Sequence, residues 1–128
     1  CDIAIVNHYY YILMLNSKEP EKRMAAENTE VIFLNQDNWG AHVNISGVGI
    51  AKYSKNVDSA NELIKYMLEK ESQEWYARTN NEYPVVEGVK ISEILSGWGE
   101  IKVDELSLNK LGDLNPYAVK LLDRVGWQ

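Results

Sequence analysis

One cysteine, Cys1, stands in the whole chain of 128 residues, so no disulfide can close within it. That lone thiol and two histidines, His8 and His42, form no Cys/His or carboxylate set at ligand spacing, which leaves zinc chemistry unsupported. No nucleophile elbow and no catalytic serine pattern is present. A tyrosine general acid or a metal-bound water would need an open coordination site and a base, and the sequence names neither, so the chain reads as a non-enzyme. No apolar run reaches the roughly 20 residues of a membrane-spanning helix. Basic residues are the minority, 13 against 19 acidic ones, for a net charge of −6. Nucleic acid and anionic membrane are therefore poor general partners.

What is present is organised around Val6-Asn7-His8-Tyr9-Tyr10-Tyr11. A short apolar run, Ile3–Val6, predicts a buried strand, and Ile12–Leu15 open an apolar stretch at helical spacing. Strand-to-helix junctions in open α/β sheets are where ligands bind, because the strand ends at a crevice and the helix start offers unpaired N–H groups. A phenolate is a hard oxygen donor, so two adjacent tyrosines at such a corner can jointly hold a hard trivalent cation. A free phenol ionises only near about pH 10, so something must stabilise the anion, and a metal charge does so directly. Successive side chains diverge by about 100° on a helix, so Tyr9 and Tyr10 converge only if the backbone turns there. Aromatic core packing with a polar tip is the competing reading.

The remaining chain reads as alternating elements. Asn16–Pro20 breaks the first helix, Glu21–Asn28 reads as a short surface helix, and Glu30–Leu34 as a strand. Asn35–Gly40 is turn-rich. Val43–Ala51 is read as a second strand, bent at Ser46-Gly47-Val48-Gly49, whose glycines suit close backbone approach better than a phosphate loop. Ser59 with Glu62 has capping-box spacing and starts a helix to about Arg78, with Leu63, Ile64, Met67, Leu68 and Trp75 as its core stripe. Glu82–Val85 is extended, and Ser92–Ser96 forms a short helix. Asn115 is expected to cap a last helix with Pro116 at its first position and Ala118, Leu121, Leu122 and Val125 on its apolar face. Asp2 and the Glu69, Glu71, Glu74 group read as solvated surface, and His42 as a hydrogen-bonded structural residue.

Cys1–Tyr11 resembles the tyrosine motif of periplasmic ferric-iron-binding proteins, the solute receptors of bacterial iron(III) ABC transporters. The resemblance continues through Gly40–Lys52, Asn81–Val85, Asn115-Pro116 and Asp123–Trp127, in the family's order. It implies an α/β, two-lobed, type II periplasmic-binding-protein fold, of which this chain is the carboxyl-terminal part contributing to both lobes. By the same resemblance, 1–39 is a second-lobe segment with the tyrosine motif, 40–90 a first-lobe segment, and 91–128 the second-lobe C-terminal helices. The implied function is Fe(III) uptake from the periplasm through an ABC permease, with Tyr9 and Tyr10 as phenolate ligands in the interlobe cleft. Asn7 would help hold a synergistic anion, Tyr11 falls where relatives carry assorted large residues and reads as packing, and His8, beside the tyrosines where relatives also vary, is a weak candidate for an iron ligand. Other receptors of this fold carry other metals, oxyanions, polyamines or small organic molecules, and that is the alternative cargo. Relatives supply further iron ligands from upstream positions, so the chain alone should bind Fe(III) weakly. Cys1 would be half of a disulfide with an upstream cysteine, a better reading than a lipid anchor. A fragment of this kind is expected to expose apolar surface and to self-associate.

Overall fold

The computed structural model describes residues 2–127; Cys1, with the disulfide and lipidation readings attached to it, lies outside them. The described residues form six helices: α1 (His8–Leu15), α2 (Pro20–Glu27), α3 (Val57–Met67), α4 (Lys70–Asn80), α5 (Glu93–Gly97) and α6 (Leu108–Val125). The chain divides into two compact units. The first runs to Phe33 and resumes over Asn44–Ile101, and the second takes Leu34–Val43 and the residues from Lys102 onward.

In the first unit, α1 and α2 pack together across the break that Asn16–Pro20 predicts. Pro20 takes the first turn of α2, where its missing N–H costs nothing. Ile12 from α1, Ala26 from α2, Ala77 from α4 and Leu95 from α5 are the buried apolar residues, a small core for five helices. The short helix α5 is capped by Ser92, whose hydroxyl accepts the Leu95 amide at 3.3 Å.

The helix expected from Ser59 to Arg78 is two helices. It begins earlier, at Val57 with Asn56 in the cap position, and breaks at Leu68-Glu69, where Glu69 is extended (φ −64°, ψ 148°). Gln73 holds the break. Its buried side chain donates to the Met67 carbonyl at 2.8 Å, filling an orphan acceptor at the end of α3, and accepts the Val85 amide at 3.0 Å. A glutamine serving two distant backbone groups leaves no periodic signal, so the sequence pattern ran straight through it. The intended core stripe is also not core here: Leu63, Leu68 and Trp75 are exposed, and α3 buries no residue.

The three predicted strands, 3–6, 30–34 and 43–51, are not formed among the described residues, where the one strand-like pairing is a parallel bridge between Ala41 and Val103. A β-prone run becomes a strand only where a second backbone completes its ladder. Ile5, Ile32, Ile45 and Val48 accordingly stand in solvent. Gly47 and Gly49 have nothing near the position a Cβ would take, so the close approach expected of them is absent.

That approach belongs to Gly40, in the second unit. The turn 34–39 reverses the chain through Asn35 (φ 58°), whose carbonyl accepts the Gly40 amide at 2.8 Å. Gly40 (φ 94°) then lies so close to Val103 that a Cβ would sit 2.5 Å from the Val103 carbonyl carbon. The bridge follows, with Ala41 N–H donating to Lys102 at 2.8 Å and Asp104 N–H donating to Ala41 at 2.9 Å. Gly40→Ala is therefore expected to destabilise this unit by about 2–4 kcal/mol, from positive φ plus backbone overlap. Faster hydrogen exchange at Ala41 and Asp104, with α4 amides unchanged, checks it.

The last helix differs from the expectation as well. α6 starts at Leu108 with Ser107 in the cap position, and Pro116 lies inside it rather than at its first turn. Helical residues on both sides carry the chain past the one hydrogen bond proline removes. Its end is a Schellman motif: Gly126 (φ 67°) donates to Asp123, and Trp127 N–H reaches the Leu122 carbonyl at 3.0 Å. α6 buries none of its apolar face, Leu121, Leu122 and Val125 included.

Candidate metal centre

Asn7 stands at the start of α1 in extended conformation (φ −71°, ψ 137°), where an asparagine would ordinarily cap the helix. It does not. Its side-chain amide donates instead to the Tyr9 hydroxyl at 3.0 Å, forgoing a capping bond typically worth about 1 kcal/mol. The residue best placed to stabilise the helix is spent on a phenol.

The backbone does not turn between the two phenols, since Tyr9 and Tyr10 both lie in the first turn of α1; their rings come together by side-chain orientation. Tyr9 and Tyr10 rings lie 4.5 Å apart between centroids and tilted by 47°, and Tyr10 is 52% exposed. A hydrogen bond to Tyr9 keeps the Tyr10 proton in place and raises its pKa above the ordinary phenol value; the charge of Tyr9 and slight desolvation act in the same direction. Two phenols with rings side by side at an open corner are a pair whose protons a hard cation would displace, exchanging them for metal charge. The start of α1 adds partial positive charge, and no acidic side chain opposes it in the first turn. These residues fit a hard trivalent cation.

The corner is tied down from two directions that sequence reading did not assign to it. Asn44 donates to Asn7 Oδ1 at 3.4 Å, so that the Asn7 amide group faces Tyr9 with its nitrogen. His8 makes a 2.7 Å hydrogen bond with the backbone carbonyl of Asn81, at the left-handed end of α4 (φ 57°, ψ 35°). Beside these, the Ser46 hydroxyl donates to Glu82 Oε1 at 3.0 Å. Asn44, Ser46, Asn81 and Glu82 all fall within the blocks that carry the family resemblance, yet nothing in their types distinguishes them from surface polar residues. Tyr11 packs as expected, its hydroxyl 3.4 Å from the Thr29 carbonyl and its ring 6.3 Å from Trp98. Tyr83 donates to the Leu95 carbonyl at 3.5 Å, and burial raises its pKa.

His42 is far from this chemistry in character. Its Nδ1 lies 3.1 Å from Asp104 Oδ2 in the second unit, the hydrogen-bonded structural role the sequence suggested. Among the described residues, no group of three or more His, Cys, Asp and Glu side chains is placed to hold a metal ion. No helix of the described residues is long and apolar enough to cross a membrane.

No family model matches the chain. Iron uptake protein A2 of Synechocystis sp. is 38% identical over 129 residues, covering 99% of this chain and 37% of the relative. Among solved structures, the Trichodesmium protein IdiA (FutA) in complex with iron and citrate matches with a TM-score of 0.90 and 40% identity, over 96% of this chain and 39% of that one. The ferric binding protein from Campylobacter jejuni matches at TM-score 0.85 and 36% identity, over 97% of this chain and 39% of that one. Homology to iron uptake and ferric-iron-binding proteins thus extends along nearly the whole chain, which spans a little over a third of the length of these relatives. Its backbone follows part of the α/β fold they share, although the described residues pair into no sheet of their own.

Proposed function

We propose that this chain is part of a ferric-iron solute receptor that delivers Fe(III) to the permease of an ABC importer, with Tyr9 and Tyr10 as phenolate ligands. The observation that carries this is the tyrosine pair itself: rings 4.5 Å apart, with the cap residue Asn7 turned to donate to Tyr9. The homology to iron-binding receptors supports the choice of cargo, since a relative of this fold carries iron with citrate.

In this reading the Asn7 amide stabilises negative charge on the Tyr9 oxygen, because a charge-assisted hydrogen bond is stronger than the neutral one it replaces. The same amide is the group an exogenous anion beside the iron would share. Binding releases the phenol protons, and Tyr10, exposed at the corner, is the face the cargo meets. The boundaries 1–39, 40–90 and 91–128 for the lobes of the longer receptor, and a periplasmic location, belong to the same proposal. So does self-association of the isolated chain: Ile5, Ile32, Leu63, Trp75 and the apolar face of α6 are exposed here and favour burial against a second copy.

Calorimetric titration of the chain with ferric citrate, phosphate, molybdate and spermidine tests the cargo. Ferric citrate is expected to bind with a visible phenolate-to-Fe(III) band, and the others without saturable heat. Tight binding of an oxyanion or a polyamine, with no colour from iron, would replace this reading with another receptor of the same fold.

A further inference from the structure

We propose that His8 is a positioning residue for the tyrosine pair, setting the rotation of the first turn of α1 by anchoring it to the end of α4. The inference rests on Tyr9 and Tyr10 being the iron ligands, and it assigns His8 no bond to the metal. The Asn81 carbonyl can only accept, so the 2.7 Å contact makes His8 Nε2 the N–H donor and fixes the ring tautomer.

The anchor point is itself rigid. Asn81 is buried, holds the left-handed conformation that ends α4, and presents a carbonyl of the class a helix terminus leaves without an intrahelical partner. The ring of His8 is also walled in. Trp98 and Tyr9 meet it edge-on at 5.8 and 6.0 Å, and Tyr83 lies tilted against it at 5.4 Å. An imidazole held by one directional bond and three rings cannot swing without breaking the bond or clashing.

This matters for the neighbours in sequence. His8 is the first residue of α1, and consecutive helical residues project about 100° apart, so the two phenols meet only while that first turn keeps its winding, which the His8 anchor holds at its start. Asn7 at the preceding position is held independently by Asn44. Among the hydrogen bonds of the described residues, that of His8 is the one joining the tyrosine turn to the end of α4. An average surface histidine at a helix start would contribute little, whereas this one determines whether two phenols point to one place.

The test compares His8→Phe, which keeps the ring and loses the donor, with His8→Gln, which keeps a donor that can reach Asn81. In the metal-free chain, NMR contacts between the Tyr9 and Tyr10 rings are expected to persist in the parent and in His8→Gln and to be lost in His8→Phe. With ferric citrate, His8→Phe is expected to bind about tenfold more weakly, one hydrogen bond's net contribution, with a shifted charge-transfer band that His8→Gln restores. Unchanged ring contacts in His8→Phe, or a His8→Gln variant no better than His8→Phe, would overturn the proposal. Should His8→Phe unfold the chain, His8→Met, which suits a helix and carries no donor, is read by the same two measurements. A parent chain that gives no iron band sinks the iron reading alone, since the ring contacts judge the positioning role without metal.

Discussion

Exchanging Tyr9 and Tyr10 together for Phe is expected to erase the phenolate-to-Fe(III) band and to weaken ferric binding by more than about 100-fold for each ring. Even partners that touch a metal ligand without touching the metal are worth about 10–100-fold, so losing the ligand oxygen itself must exceed that. Phe keeps both rings, including the 4.5 Å contact between them, and the far-ultraviolet circular dichroism should be unaltered. The single variants separate the two roles. Tyr9→Phe removes the acceptor that holds the Tyr10 proton, so Tyr10 should ionise closer to the ordinary phenol range in a metal-free ultraviolet titration. It also strands the Asn7 amide, which then reverts to capping α1. Tyr10→Phe leaves the Asn7–Tyr9 bond in place and should retain a weaker band than the parent. Colour surviving in the double variant, at protein concentrations high enough to register weak binding, rules out this pair as ligands.

Affinity for iron should fall steeply on acidification, and the size of the effect follows from proton counting. A tyrosine must lose its phenol proton to become a phenolate ligand, and Tyr10 holds its proton above the usual phenol value. Binding therefore releases two protons, one from each tyrosine. Through neutral and acidic pH the apparent association constant therefore drops by about 100-fold for each unit of acidification, tenfold per proton. The sign is that of proton release: a raised phenol pKa opposes binding at every pH below it and ceases to matter only above it. Ferric titrations between mildly acidic and mildly alkaline pH, with citrate as the common competitor, give the slope. A slope of one proton would mean that a single tyrosine ligates, and no slope would mean that neither does.

The same corner shows what stability was given up for it. An asparagine in the cap position of α1 accepts no helix N–H, and the helix begins on three exposed or half-exposed phenols rather than on good helix formers. Local rules broken at one point, with everything around it holding that point still, mark a site rather than a defect. Here the surrounding hold consists of the bonds from Asn44 to Asn7 and from His8 to Asn81.

How much of this was legible beforehand depends on the range of the interaction. The breaks at Asn16–Pro20 and Asn35–Gly40, the start of α1 after Asn7 and the Ser92 cap of α5 were readable, because each is set by the conformational preference of residues a few positions apart. That Tyr9 and Tyr10 carry hard oxygen donors is a property of the side chains alone, and their assignment as iron ligands stays a proposal. Strands 3–6, 30–34 and 43–51 were legible as β-prone runs but not as ladders, because a ladder is a property of two segments and the sequence shows them one at a time. The division of one long helix into α3 and α4 turns on Gln73 reaching Met67 and Val85, and the convergence of the phenols turns on His8 reaching across 73 positions to Asn81. The sequence by itself thus determined which side chains offer hard oxygen donors, and only the folded chain decided that the two rings lie side by side, since direction in space is fixed by contacts that sequence spacing does not show.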